Sequence, residues 1–351
     1  MKYCLLTLLI LILTNCGSKE SVNANNYHIV DFKKALKKEI GFNEISDSLK
    51  FTFLQYDKQN PVGEILKYKI TKNYLVVVDQ QHKLFVFKRN GNLVSVIDDK
   101  GKGPSEYINI EDFIIDSNEK FIIVLDPKNE KILKYDIHGD YIKSYSMNYT
   151  HAAHISNLTN GNYCVYQSAR FSEENFNIFI LNENFQLINS IIDSKGAILK
   201  ESPYLLDVNW YNYNNNTYYK EVLGDTVFKI TQKNASEPHM LFDIGEVRMP
   251  DKYYTKTGHY QKNAHKFYQV GKIIESKNYA FIHVVFNNKN KYFLYYKNKK
   301  TEYIDDNETM HRFIDPIELQ SRLKSIPKTE KIKKILKSND NPVLLSGKLL
   351  N

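Results

Sequence analysis

Cysteine is close to absent: three stand in 351 residues, at Cys4, Cys16 and Cys164. The first two flank an N-terminal apolar run, so a chain trimmed there keeps Cys164 without a disulfide partner. An intrachain disulfide is then excluded, as is a zinc site built from several thiolates. Glycine and proline are scarce, at 14 and 9. Asparagine crowds the segments between apolar runs instead, where it suits turns. Beyond residue 13 there is no stretch of the roughly 20 uncharged apolar residues that a membrane-spanning helix needs. The sequence also lacks a His-Glu-x-x-His zinc signature, a Gly-x-Ser-x-Gly nucleophile elbow and the Gly-Lys-Ser/Thr ending of a phosphate loop.

What the chain does have begins at its first residues. Met1 and Lys2 precede an apolar run over residues 5–13, which has the length of a signal peptide. The run ends in Leu13-Thr14-Asn15-Cys16-Gly17-Ser18. This stretch resembles a bacterial lipobox, which implies cleavage before Cys16 and lipid on its thiol. Residues 17–26 are polar, small and without pattern, as a flexible tether would be. The expected organisation is a signal peptide over 1–15, a lipidated tether over 16–27 and one folded domain over 28–351. The expected location is the outer membrane, lipid-anchored on its periplasmic or cell-surface face.

Tyrosine (26) and phenylalanine (19) are abundant, and aromatic residues favour strands. The formal net charge of +8 comes from lysines spread along the chain, with one denser patch near the C-terminus. Such lysines suit solvated faces and strand edges, so no nucleic-acid partner is expected.

The body repeats one pattern. Strand 74–79 ends at Asp79, strand 83–88 follows, Asn90-Gly91 makes a hairpin turn, and strand 93–97 closes the unit. Strands 121–126 and 131–136, the turn at Gly139 and strand 141–145 repeat it. Asp79 and Asp126 lie 47 residues apart. Looser copies follow near residues 163, 178, 187, 218, 227, 280 and 293. A strand-rich period of 40–50 residues signals propeller blades of about four strands. The fold expected is all-β: a six-bladed β-propeller of four-stranded antiparallel blades. Short helices are expected near the C-terminus, from residue 315 on, and another over residues 32–40.

Between the first two clear units stands Gly101-Lys102-Gly103-Pro104-Ser105-Glu106-Tyr107. It resembles the Gly-x-Gly-Pro-Gly-Glu-Tyr loop of the six-bladed β-propeller lipoproteins of Bacteroides-type bacteria, with Ser105 where that family prefers glycine. Three further stretches agree: Val62-Gly63-Glu64-Ile65, Gly224-Asp225-Thr226-Val227-Phe228 and the closing Asn341-Pro342-Val343-Leu344. The loop reads as structural. Gly101 and Gly103 permit unusual backbone angles, Pro104 fixes one turn position, Glu106 accepts backbone hydrogen bonds, and Tyr107 packs between blades with its hydroxyl outward.

Chemistry-bearing residues are few. His151 and His154, or His259 and His265, would hold a metal only with a distant carboxylate, and no metal or other cofactor is expected. Cys164 lies in an apolar strand and reads as core. Asp47-Ser48-Leu49 and Asp225-Thr226-Val227 resemble the short O-glycosylation sites of these bacteria. Trp210, Tyr211 and Tyr213 flank the asparagine-rich residues 212–216. Aromatics beside amides are ingredients of a sugar platform, and equally of a blade loop and its core. The functional expectation is a noncatalytic, monomeric propeller that binds an extracytoplasmic glycan or peptide, or an outer-membrane partner protein. The alternative is a propeller-fold hydrolase or lyase acting on a polysaccharide, with ionisable groups from several blades meeting at the channel.

Overall fold

The computed structural model describes residues 27–38, 40, 46–55, 57–148, 151–167, 176–192, 208–221, 223–231, 233, 235–255, 259–305 and 343–349. Three strands precede the first repeat unit: β1 (His28–Asp31), β2 (Leu36–Lys37) and β3 (Ser46–Phe53). Blade one then follows as β4 (Ile65–Ile70), β5 (Tyr74–Asp79), β6 (Leu84–Lys88) and β7 (Leu93–Ile97). Blade two is β8 (Asp112–Ile115), β9 (Phe121–Asp126), β10 (Lys131–Asp136) and β11 (Tyr141–Ser146). Blade three is β12 (Ala152–Asn157), β13 (Tyr163–Gln167), β14 (Phe176–Leu181) and β15 (Leu187–Ile192). Blade four is β16 (Asn209–Tyr213), β17 (Asn216–Lys220), β18 (Thr226–Ile230) and β19 (Ser236–Asp243). Blade five is β20 (Gln269–Glu275), β21 (Tyr279–Phe286), β22 (Lys289–Tyr296) and β23 (Thr301–Asp305). Within each blade, consecutive strands pair antiparallel. The first strands of neighbouring blades touch, β4 to β8, β8 to β12 and β16 to β20.

The inner strands β5, β6 and β9 are apolar without alternation because both of their faces are covered. In blade one, Val76, Val78, Leu84 and Val86 meet Phe113, Ile115, Ile122 and Val124 of blade two. The intervening Leu75, Val77, Phe85 and Phe87 fill the opposite face. The same division recurs between blades two and three, three and four, and four and five. Each fully buried side chain of this kind contributes roughly 1.5–3 kcal/mol, so the blade interfaces are the core.

The expectation of six four-stranded blades is corrected. Among the described residues five sheets have four or five strands, and the remaining pair, β3 with β24 (Val343–Leu349), forms a two-stranded sheet. The repeat period, divided into chain length, overcounts because β1 and β2 are added to other blades and β3 pairs only with β24. β1 joins blade four in parallel register against β19, and β2 joins blade five against β23.

Two helix expectations also change. Residues 32–34 form a turn, and β2 follows where a helix is expected. The edge of β23 supplies backbone partners there, and Phe32 is drawn into the core, stacked on Phe293 at 4.0 Å. The helices expected from residue 315 lie outside the described residues. Most described helical turns stand instead between blades four and five: α1 (Lys252–Thr255), α2 (His259–Asn263) and the 3-10 turns Gly245–Val247 and Ala264–Lys266, with one more 3-10 turn, Pro127–Asn129, inside blade two. Among the described residues no helix is long and apolar enough to cross a membrane. The signal run, Cys16 and the tether lie outside the described residues.

Candidate functional site

The densest polar cluster sits between blades four and five, around the Glu275 carboxylate at the end of β20. Its side chain is fully buried. Tyr211 donates its hydroxyl to Oε2 at 2.8 Å, and His239 Nε2 lies 2.7 Å from Oε1. Lys297 Nζ lies 2.5 Å from the same Oε1 and donates to the Ser276 carbonyl at 2.6 Å. The Lys297 ammonium also lies over the Tyr213 ring, 4.4 Å from its centroid. His28 meets His239 edge to face at 5.9 Å, and Tyr218 packs on His239 at 4.5 Å. Ala280 is the partner of Glu275 across β20 and β21, and a small residue there leaves room for this chemistry.

The electrostatics follow from the packing. Burial works to raise the Glu275 pKa, but the hydrogen bond and charge of His239, with the Lys297 ammonium, overcome it and hold the carboxyl below its ordinary range. Burial lowers the His28 imidazole, and the neighbouring Lys297 and His239 add to this. Burial and the Glu275 charge push the Tyr211 hydroxyl far up. The carboxylate is thus ionised and held by three donors. This arrangement locks two blades and presents donors at its half-buried margin, where His28, His239 and Tyr213 lie.

Strand alternation separates the three aromatic candidates. Tyr211 and Tyr213 share the face of β16 toward blade five. Trp210 takes the other face, donates Nε1 to Ser156 Oγ at 2.7 Å and stacks on His154 with rings 5.9 Å apart. The three do not form one platform. His154 also lies 4.0 Å from Asp112, which accepts from Ile155 N and pairs with Lys69 at 3.0 Å. This second cluster stitches the first strands of blades one to three. Cys164 is buried in the core between blades three and four, and burial pushes its thiol up. Asp225 pairs with Arg248 at 2.5 Å. Among the described residues no group of three or more His, Cys, Asp and Glu is placed to hold a metal.

The loop at 101–107 folds around Glu106, whose Oε2 accepts from Gly103 N at 2.6 Å. Lys131 Nζ donates to the Gly103 carbonyl, and the Tyr135 hydroxyl to that of Ser105. Tyr107 is fully buried. Its hydroxyl turns inward, to the carbonyls of His82 and Ile97 at 2.9 and 3.0 Å, rather than outward.

The Glu275 cluster was not legible in the sequence. Residues 28, 239, 275 and 297 share no spacing, and their only mark is a charge at the end of an apolar strand, as in Ile273-Ile274-Glu275 and Tyr295-Tyr296-Lys297.

Comparison with known proteins agrees with the fold. A protein of Bacteroides fragilis NCTC 9343 that carries the name exported protein superposes with a TM-score of 0.73 at 18% identity, over 92% of this chain and 100% of its own. A DUF4221 member from Bacteroides vulgatus ATCC 8482 gives 0.50 at 9% identity, over 76% and 88%. No curated protein matches the chain. The expected six-bladed architecture is corrected: the chain shares its fold with these Bacteroides proteins and has five blades among the described residues. Residues 27–348 match the family described as Domain of unknown function (DUF4934), nearly the whole folded chain, and the protein belongs to that family.

Proposed function

We propose that the chain is a noncatalytic propeller that binds a glycan or peptide, or a partner protein, outside the cytoplasm. The observation that carries this reading is the state of its buried ionisable groups. Glu275 is held by Tyr211, His239 and Lys297, and Asp112 by Lys69, His154 and a backbone amide. A general base needs a pKa near the working pH and access to a substrate proton, whereas Glu275 is held low and enclosed. Stacked propeller blades leave their loops and faces for recognition. Export is supported by the name of the Bacteroides fragilis relative.

The same reading places lipid on Cys16 as the membrane anchor, with the domain on the periplasmic or cell-surface side. Binding is tested by titration calorimetry of the purified chain against neutral and acidic oligosaccharides and peptides. Saturable binding without product release supports the reading, and turnover of any of them overturns it. Intact mass of the native N-terminus tests the anchor: a diacylated Cys16 supports it, and an unmodified thiol there removes it.

A further inference from the structure

Two turns at one end of blade one, after β4 and after β6, border a shallow, open recess of about 400 Å3. Its lining is Lys72, Asn73, Tyr74, Lys88, Arg89 and Asn90. Small-ligand sites run from roughly 300 to 1,000 Å3, so the recess has the size for one or two sugar rings. We propose that it binds an acidic sugar, one bearing a carboxylate or a sulfate. The proposal deepens the binding reading above and rests on it.

Three cations line the recess, and none has an ion-pair partner among the described residues. Several lysines elsewhere are paired: Lys33 with Asp243, Lys69 with Asp112, Lys83 and Lys100 with Asp98, Lys297 with Glu275. The carboxylate that lies against the recess is Glu119 of blade two. It accepts from Lys72 N, Asn73 N and Asn73 Nδ2 at 2.8, 3.2 and 2.6 Å, so it fixes the turn. The second turn is fixed by Asn90 Oδ1, which accepts from Asn92 N at 3.1 Å. Backbone pairing ties the two turns together, Arg89 N donating to the Asn73 carbonyl at 3.0 Å.

Both asparagines keep one polar atom for a ligand. Asn73 has its side-chain oxygen to accept, and Asn90 its amide nitrogen to donate. Three cations and one carboxylate leave the recess net positive, and with a fixed acceptor and a fixed donor beside them they suit a ring that carries an anionic group next to hydroxyls. Arg89 adds a planar fork that matches carboxylate and sulfate oxygens in pairs. A membrane surface would call for cations spread over a broad face, whereas these three line one recess.

The test titrates the purified chain with oligogalacturonate, dextran sulfate and neutral dextran at two salt concentrations. Oligogalacturonate or dextran sulfate should bind, more weakly at high salt, and neutral dextran should not. Which of the two binds decides between carboxylate and sulfate. The triple variant Lys72→Ala, Lys88→Ala, Arg89→Ala should lose at least tenfold in affinity with its thermal unfolding unchanged. A control triple, Lys128→Ala, Lys143→Ala, Lys299→Ala, removes the same charge from exposed positions elsewhere and should keep the affinity. Equal loss in both triples, unchanged affinity in the first, or failure of both acidic polymers to bind would overturn the proposal. So would binding to phosphatidylglycerol vesicles alone, lost in the first triple. Reducing ends are counted in the same mixtures. Their release would overturn the noncatalytic reading and leave the recess standing, whereas unchanged affinity in the first triple does the reverse.

Discussion

Glu275 and Lys297 form a buried ion pair with Tyr211 and His239 attached, and such pairs are unforgiving when half is removed. Glu275→Gln leaves the Lys297 ammonium enclosed without its counter-charge, and the expected loss is about 3 kcal/mol, read as a lower urea midpoint. The pH dependence has a definite sign. The folded carboxyl lies below the unfolded value of about 4.5, so its stabilisation is full above that pH and fades as pH falls through the folded value. Wild type should therefore lose urea resistance below pH 4.5 more steeply than the variant; parallel curves would refute the assignment. Lys220 shows the opposite case. It is buried at the end of β17, its Nζ donates to the Glu221 carbonyl at 3.0 Å, and burial lowers its pKa to about 8. Between pH 8 and 10.5 the unfolded chain holds a proton that the folded chain has released, so stability rises with pH there. Lys220→Met should add about 1–2 kcal/mol at pH 7, a gain that shrinks as pH approaches 10. Denaturation at pH 7, 8.5 and 10 checks it.

At the scale of elements, the repeated aspartates explain how a unit ends. Asp79 Oδ1 accepts from Gln81 N and Lys83 N, closing the turn, while Oδ2 accepts from Gly63 N ahead of β4. Asp126 does the same for Asn129 N and Ile108 N. The 47-residue interval was legible because one turn chemistry serves two blades. The loop at 101–107 is a second case, since its glycines mark a close approach. A Cβ at Gly101 would run into the Glu106 carboxylate. Gly101→Ala should displace Glu106 from Gly103 N and cost about 1–2 kcal/mol. In a Glu106→Ala background the same change should cost clearly less, as a double-mutant cycle would show; equal costs would mean that the contact does not set the glycine.

Across the whole molecule, the first two N-terminal strands serve blades four and five. Phe32, just after β1, stacks on Phe293 of blade five at 4.0 Å and meets Phe242 of blade four at 5.5 Å. Phe32→Ala opens the junction between the N-terminal segment and blades four and five, and a loss of about 3 kcal/mol is expected. Trp210, the only tryptophan, lies between blades three and four and gives the readout. If the ring is one cooperative unit, its fluorescence and the strand circular dichroism should shift together; separate transitions would show that the blades uncouple.

The sequence by itself determined the strands, their turns and the propeller class, because those follow from local patterns: apolar runs of strand length, asparagine and glycine turns, and a period near 47 residues. Only the tertiary structure decided the number of blades, since β1 and β2 pair with strands more than 200 residues away and β3 with β24. It also decided which polar side chains meet. Whether Trp210 joins Tyr211 depends on the face that strand alternation gives each, and whether Glu275 finds Lys297 and His239 depends on how neighbouring blades stack. Hydrogen bonds and charges act over a few ångströms in space, and a linear sequence carries no record of those distances until the ring has closed.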